Sequence, residues 1–416
     1  MSQPQTLPRS VDILADNHQP SEVQAGEGSV LVSALQKLQI KDFRNYKSAD
    51  IGLHSKAVIL TGPNGAGKTN LLEAVSMLAP GRGLRRAQRG EIGFLDEAGS
   101  RSVDIPFDET GDKAVQGAAW SVFSEVSGPE GVVAVGTGRV PEQPDAPGRV
   151  VRINGVPGTQ TELARLVTLS WLTPQMDGLF VGSPSARRRF VDRLAIAFDP
   201  AHSGRLSRYE KAWRERSRLL AEGQADDKWY ISLEKILAET GIAISATRSA
   251  LIDDINRESQ KLETSFPVVR AGLTGQAADW LDAGLPAIDI EDKILLSARQ
   301  NRLAGQNHMP GPHETDLVLI YKGQSAHLAS TGEQKALMIA MVLAHAVLQD
   351  KRLNRPPVLL LDDVAAHLDP QRRAELFALC SELNGQVWYS GVDAHAFSAL
   401  RKDAQFITVL NGTVSL

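Results

Sequence analysis

The chain has a single cysteine, Cys380, among 416 residues. One cysteine excludes a disulfide framework and suits a reducing compartment. Long hydrophobic runs are also missing. The longest, from Ala336 to Leu348, contains His345. It falls short of the roughly 20 apolar residues that span a bilayer and reads as a buried core helix. The opening residues hold no continuous apolar stretch, so no secretory leader is expected. These absences lead us to expect a soluble, cytoplasmic protein with no membrane partner. Nor is there an excess of one charge: Lys and Arg total 45 against 49 Asp and Glu, a formal net charge of −4. Bulk charge therefore carries no sign of nucleic-acid binding, and any such contact must come from local basic patches.

What is present is globular. Hydrophobic residues make up 42% and charged residues 23%, enough for a substantial core. The length suits about two to three domains. Residues 1–29 are rich in Gln, Pro, Ser, Asp and Glu and read as a disordered tail. Order is expected from residue 30. The stretch 99–158 is rich in glycine, valine and turn residues, and short antiparallel strands are expected at 103–105, 118–123, 132–135 and 150–153. Helical stretches dominate from about 185 to 305, without sustained heptads. The expected organisation is a head in two halves, 30–185 and 306–416, flanking a helical insert at 186–305.

Two segments carry chemistry. Gly62-Pro63-Asn64-Gly65-Ala66-Gly67-Lys68-Thr69 matches the phosphate-binding pattern G-x-x-x-x-G-K-[ST] at every fixed position. Glycines let the backbone turn several N–H groups toward one phosphate chain. The following helix, with Leu71, Leu72, Val75 and Leu78 on one face, adds the positive end of its dipole. Lys68 is expected on the β- and γ-phosphates and Thr69 on Mg²⁺. The second segment, Val358-Leu359-Leu360-Leu361-Asp362-Asp363, is an apolar strand ending in two acids. Asp362 is expected to hold Mg²⁺ and Asp363 to orient or deprotonate the attacking water. Alone, such a strand end is equally a solvated cap; beside a phosphate loop it reads as the second half of an ATP site.

Ser330-Thr331-Gly332-Glu333 precedes the apolar helix. A hydroxyl and a glycine at a helix start suit an anion. A plain capping box, Ser330 with Glu333 three residues on, is the competing reading. A second anion site separate from the first suggests ATP held between two copies of the chain.

The order of these motifs, followed by Leu368-Asp369, resembles the ABC ATPase head, and its specific version is similar to the RecF family. The similarity rests on Ile40-Lys41-Asp42-Phe43-Arg44-Asn45-Tyr46, on Gly62 to Ala74, on Gly81-Arg82-Gly83-Leu84-Arg85, on Ser183-Pro184 with Arg187 to Asp192, and on Leu359 to Asp369. It covers about 31 to 416. The fold it implies is α/β: a phosphate-loop mixed sheet plus an antiparallel β-subdomain, with a helical insert domain. ATP contacts fall on Gly62 to Thr69, on Asn70, and on Gln175, Ser330, Gly332 and Glu333. Gln175 is the glutamine that senses the γ-phosphate and reaches the metal with Thr69 and Asp362. Ser330 and Gly332 contact the partner subunit's ATP, and Asp369 lies at the dimer seam. Catalysis is assigned to Lys68, Asp362 and Asp363. Two departures imply slow hydrolysis: Asp363 stands where most ABC ATPases carry glutamate, and Ser390 falls where many carry histidine. The resemblance further implies an ATP-dependent homodimer that recognises gapped or single-stranded DNA, works with RecO and RecR, and supports RecA loading. Chromosome-organising heads and transporter subunits are the alternatives; the first needs a long coiled coil, the second a shorter insert.

Three basic clusters are candidate DNA contacts: Arg82, Arg85, Arg86 and Arg89; Arg187, Arg188, Arg189 and Arg193; and six residues from Arg205 to Arg218. Arg82, Arg85, Arg187, Arg188 and Arg189 are the preferred members. Phosphate contacts of this kind give affinity without sequence readout. A solvated, ion-paired helix face is the competing reading for the third cluster.

Overall fold

The computed structural model describes residues 34–87, 91–94, 119–128, 131–139, 149–223, 226–353, 356–365 and 368–416. The tail expected at 1–29 and the strand expected at 103–105 lie outside the described residues, as do Arg89 and residue 118. The chain divides into two compact units, 1–174 with 349–416, and 175–348.

In the first unit, β1 (Ala34–Phe43) and β2 (Tyr46–Gly52) form a hairpin, and β3 (Ala57–Thr61) leads into α1 (Lys68–Ser76). Then come β4 (Trp120–Gly128), β5 (Gly131–Arg139), β6 (Val150–Ile153), β7 (Val156–Gly158), α2 (Gln160–Leu166) and β8 (Leu169–Leu172). One sheet is antiparallel, ordered β2-β1-β4-β5-β6-β7. The other is mixed. It takes β3 and β8 together with four strands from late in the chain, β12 (Val358–Leu361), β13 (Val387–Gly391), β14 (Ala404–Leu410) and β15 (Thr413–Ser415), ordered β15-β14-β3-β13-β12-β8. All its pairings are parallel except the last hairpin. The sequences explain the difference. VLLL of β12 is buried at every position, as a strand covered on both faces must be. From Ser48 to Gly52, β2 alternates exposed and buried residues, as a half-solvated strand does.

Side-chain amides stitch the two sheets of this unit: Gln405 on β14 donates to the Gly52 carbonyl of β2 at 2.7 Å, and Gln386 does the same work beside β13. Gln386 is 1% exposed. Its Oε1 accepts from the Leu35 N–H at 3.3 Å and the Trp388 indole N–H at 2.9 Å, and its Nε2 donates to the Leu35 and Ser55 carbonyls at 3.1 Å each. Gln386→Leu keeps the volume but leaves several buried groups unpaired. Each unpaired group costs about 1–3 kcal/mol, so a loss of about 3 kcal/mol is expected in urea unfolding; an unchanged midpoint would refute the stitch.

The second unit is mostly helical: α3 (Pro184–Phe198), α4 (His202–Glu222), α5 (Asp227–Ser259), α6 (Gln276–Asp282), α7 (Ala287–Leu303) and the start of α8 (Thr331–Leu353). Its small antiparallel sheet orders β11 (Gln324–Ser325), β10 (Asp316–Tyr321) and β9 (Ala271–Thr274). Local signals set the ends. Ser183 caps α3 with Pro184 at its first turn, and Gly223 closes α4 in the left-handed conformation at φ 68°. Gln334 through Ala346 are buried without a break, which places the long apolar run inside. Among the described residues no helix is long and apolar enough to cross a membrane.

Two histidines of this unit are held neutral by their surroundings, His345 buried and His313 half-buried. The His345 Nε2–H donates to the Leu194 carbonyl at 3.0 Å, and burial pushes the ring down to about 4. His313, with Nδ1 2.6 Å from the Tyr209 hydroxyl, is also pushed to about 4, first by burial and then by nearby cations. The unfolded chain takes up protons below its ordinary histidine value while the folded chain does not. This part of the stability is therefore complete above about pH 6.5 and is lost as pH falls toward 4, at up to about 1.4 kcal/mol per pH unit per histidine. Urea midpoints at pH 7, 6 and 5 should fall in that order; a flat profile would contradict it.

Candidate functional site

Strand β13 lies between β3 and β12, and all three run parallel. Their carboxyl ends therefore reach one edge of the sheet, where open α/β sheets bind ligands. β3 delivers the phosphate loop, β12 delivers Asp362 and Asp363, and β13 delivers Ser390 between them. Residues 293 positions apart in sequence become neighbours through this strand order.

The loop winds as its glycines allow. Gly62, Gly65 and Gly67 have φ of 147°, 79° and 116°, values that other residues adopt only under strain. At Gly62 a Cβ would lie 2.1 Å from the Val409 carbonyl oxygen. Pro63, Asn64 and Gly65 are exposed, while Ala66, Gly67 and Lys68 are buried. Gly67 caps α1, whose N-terminus opens onto the loop. The Lys68 ammonium donates to the Gly62 and Pro63 carbonyls at 2.7 and 3.0 Å.

A brace that the motif does not announce holds this loop from outside. The Ala66 carbonyl accepts from Asn45 Nδ2 at 3.1 Å and from the Gly412 N–H at 3.0 Å. The Tyr46 hydroxyl donates to the Gly67 carbonyl at 3.0 Å. Asn70 Nδ2 donates to Asn45 Oδ1 at 2.7 Å, and Arg85 donates to Asn70 Oδ1 at 2.6 Å. Glu73, fully buried, takes a two-pronged bond from Arg44 at 2.8 and 2.9 Å, with Arg85 3.6 Å away. Asn45 and Tyr46 lie in a matched opening stretch, and Asn411-Gly412 signals a turn. Neither signal alone tells that they meet the loop.

Asp362 sits between the loop and β13. The Thr69 hydroxyl lies 3.0 and 3.1 Å from its two oxygens, and the Ser390 hydroxyl donates to Oδ1 at 2.7 Å. Burial raises its carboxyl above the ordinary aspartate value, against the pull of the Ser390 and Thr69 hydrogen bonds. Asp363 leaves the strand in the left-handed conformation, φ 52°. Its N–H donates to Ser390 Oγ at 2.8 Å, and its buried Oδ1 has no partner among the described residues.

Of the remaining expected residues, Gln175, Ser330, Gly332 and Glu333 belong to the second unit. Gln175 lies exposed in a single 3₁₀ turn, Pro174–Met176. At the start of α8 the capping box is formed: Glu333 Oε2 accepts from the Ser330 N–H at 3.0 Å and hydroxyl at 2.9 Å, and the Glu333 N–H faces Ser330 Oγ at 3.4 Å. Lys322 donates to Glu333 Oε1 at 2.9 Å. Lys322 first, then Ser330, hold this carboxyl down to about 2. Gly332 is exposed, and a Cβ there would meet nothing within 4 Å. In the first unit Asp369 caps α9 (Pro370–Glu382), accepting from the Arg372 N–H at 3.0 Å.

The basic clusters divide. Arg82 and Arg85 are exposed, although Arg85 is tied to Asn70. Arg187 and Arg188 are half-buried and engaged within their own unit. Arg187 makes a two-pronged pair with Asp316 at 2.7 Å, and Arg188 donates to the Thr315 carbonyl at 2.9 Å. Arg189 is the exposed member of that triplet. In the third cluster Arg216 is fully buried against Glu234, and Arg205 and Arg218 are ion-paired, leaving Arg208, Lys211 and Arg214 exposed. Charge spacing shows residue type; it does not show which carboxylate a folded chain brings near.

The profile of the RecF/RecN/SMC N terminal domain family matches residues 34–413. The DNA replication and repair protein RecF of Rhizobium etli is 42% identical over 389 residues, 92% of this chain and 98% of that protein. The chain belongs to the RecF family. RecF of Agrobacterium fabrum is also 42% identical, over 390 residues and the same shares of the two chains. Among solved structures, the recombination mediator protein RecF-ATPrS of the RecFOR pathway superposes with a TM-score of 0.75 at 20% identity, covering 92% of this chain and 98% of that one. RecF-ATP of the same pathway gives 0.72 at 19% identity, covering 92% and 99%. The fold is thus the ABC-ATPase head that the motif order implied.

Proposed function

We propose that the chain is an ATP-controlled DNA clamp of replication and repair, dimerising around nucleotide with slow hydrolysis as its release step. The observation that carries this reading is the meeting of Lys68, Thr69, Asp362 and Asp363 at one sheet edge, 293 positions separating Thr69 from Asp362. Backbone N–H groups and Lys68 suit the phosphates of ATP. The paired oxygens of Thr69 and Asp362, with the Asp363 Oδ1 that has no partner among the described residues, suit Mg²⁺; bound there, the ion would neutralise charge developing on the phosphates. Gln175 is assigned as a further contact to the metal and γ-phosphate on the family resemblance.

Dimerisation rests on α8. Neither packing nor a left-handed φ requires glycine at 332, so the close approach of an outside group is the remaining reason for it. The partner's ATP is that group, with Ser330 and Glu333 beside it and Asp369 at the seam. Its hydroxyl being bound to Glu333 in the free chain, Ser330 must exchange that bond for one to phosphate. Arg82, Arg85 and Arg189 then offer surface charge to duplex or gapped DNA. RecO and RecR, and through them RecA loading, are the partners that the family suggests.

Solution mass with and without ATP and Mg²⁺, and with and without gapped duplex DNA, tests this. Monomer turning to dimer with ATP, and more so with DNA, is expected. Mass indifferent to both would sink the clamp. Steady-state hydrolysis should stay well below that of transport ATPases, since Asp363 is short and position 390 carries no histidine; a comparable rate would refute the slow switch.

A further inference from the structure

Ser390 is 1% exposed and stands at the tip of the strand that separates the phosphate loop from the two acids. The register puts it opposite Leu60 on β3, while Tyr389 faces Leu361 on β12, the residue before Asp362. Its oxygen is used twice. The hydroxyl donates to Asp362 Oδ1 at 2.7 Å and accepts the Asp363 N–H at 2.8 Å. We propose that Ser390 is a positioning residue of the nucleotide site, fixing the side chain of Asp362 and the backbone of Asp363 through one oxygen. The proposal rests on the nucleotide reading above.

The chemistry is selective. One atom must both donate and accept, on a short side chain, at a buried strand tip. A hydroxyl does this. Alanine does neither. Each imidazole nitrogen does only one at a time, and the ring is far larger. Asp363 gains from the second bond, because it has left the ladder. A non-glycine residue at positive φ costs about 1 kcal/mol or more and persists where its surroundings hold it. The Ser390 oxygen is the acceptor that satisfies its N–H there. Asp362 gains from the first bond in another way. Its other hydroxyl contact, Thr69, belongs to the phosphate loop and is the group a cation on the nucleotide recruits. Ser390 lies on the neighbouring strand, apart from the loop, and keeps Oδ1 oriented when Thr69 turns. The position thus serves the two acids.

The test is a Mg²⁺ titration of fluorescent ATP-analogue binding, on the full chain, with Ser390→Ala and Ser390→Thr. Melting without nucleotide or metal is followed alongside. In Ser390→Ala the Mg²⁺ midpoint should rise about tenfold or more, the usual cost of losing a bond that orients a ligating group. Binding without Mg²⁺ should stay within about twofold. Ser390→Thr, which keeps donor and acceptor, should restore most of the Mg²⁺ response. An unchanged midpoint in Ser390→Ala overturns the proposal. So does a Ser390→Ala protein that loses metal-free binding and melting temperature together, since that is the mark of a structural role. So does equal loss in both variants at equal melting temperature. A wild-type chain that binds no nucleotide would overturn the site reading itself, and this proposal with it.

Discussion

Gly412→Ala will weaken nucleotide binding by about tenfold or more, although residue 412 belongs to the last hairpin and lies outside every phosphate motif. Gly412 turns β14 into β15 at φ 75°. A Cβ there would sit 2.1 Å from the Asn45 carbonyl oxygen, so the turn or the β1–β2 hairpin must move. Both hold the Ala66 carbonyl, one through the Gly412 N–H and the other through Asn45 Nδ2. Asn45 also holds Asn70, the second residue after Lys68. Either movement shifts the loop, and misplacement of phosphate donors by about an ångström costs orders of magnitude in function. Gly323→Ala is the control. It has the same conformation, φ 80°, in another hairpin turn, but its Cβ meets nothing within 4 Å. Both substitutions carry the left-handed penalty of about 1–2 kcal/mol; only Gly412→Ala should cost nucleotide affinity. Equal affinities in the two variants would show that the brace does not set the loop.

Arg248→Met is expected to destabilise the second unit by about 3–5 kcal/mol, the cost of stripping one partner from a buried ion pair. Arg248 on α5 is 3% exposed and grips Asp192 of α3 with two bonds, 2.7 and 2.8 Å. Its third arm reaches the Pro312 carbonyl at 2.6 Å. His202 shares the same carboxylate at 2.9 Å. Without the guanidinium, Asp192 is a buried acid facing one imidazole. Arg248→Met with Asp192→Leu should recover most of the loss, because well-packed apolar pairs often match or exceed buried ion pairs. Thermal melting of the single and double variants decides it. A double variant as unstable as the single one would mean that the Pro312 contact or the His202 ring left without its carboxylate, not the ion pair, carries the effect.

The sequence was most legible where chemistry demands adjacent residues. The phosphate loop is contiguous, the two acids follow a fully apolar strand, and the apolar stretch of α8 can only be interior. Strands of three or four residues were harder. Val156–Gly158 and Ala271–Thr274 are too short for alternation to show, and Leu169–Leu172 is a four-residue stretch broken by Ser170. Least legible were partnerships across long separations. Nothing near Arg187 announces Asp316, 129 positions on, and nothing near Ala66 announces Gly412. Such pairs follow from strand order and helix packing, which local patterns do not encode. Ser390 is a middle case: its place in the motif order was readable, whereas its double hydrogen bond depended on β13 lying between β3 and β12.

That strand order has a consequence for how the chain is made. β3 ends at Thr61, and its neighbours β13 and β14 begin at Val387 and Ala404. A ribosome adding about 5–20 residues per second therefore emits β3 roughly 20–60 s before either neighbour exists. Through that interval Val58, Ile59 and Leu60, all fully buried in the finished protein, have neither edge paired. The phosphate loop is synthesised early, yet its seat is completed last, when Gly412 arrives to close on Ala66.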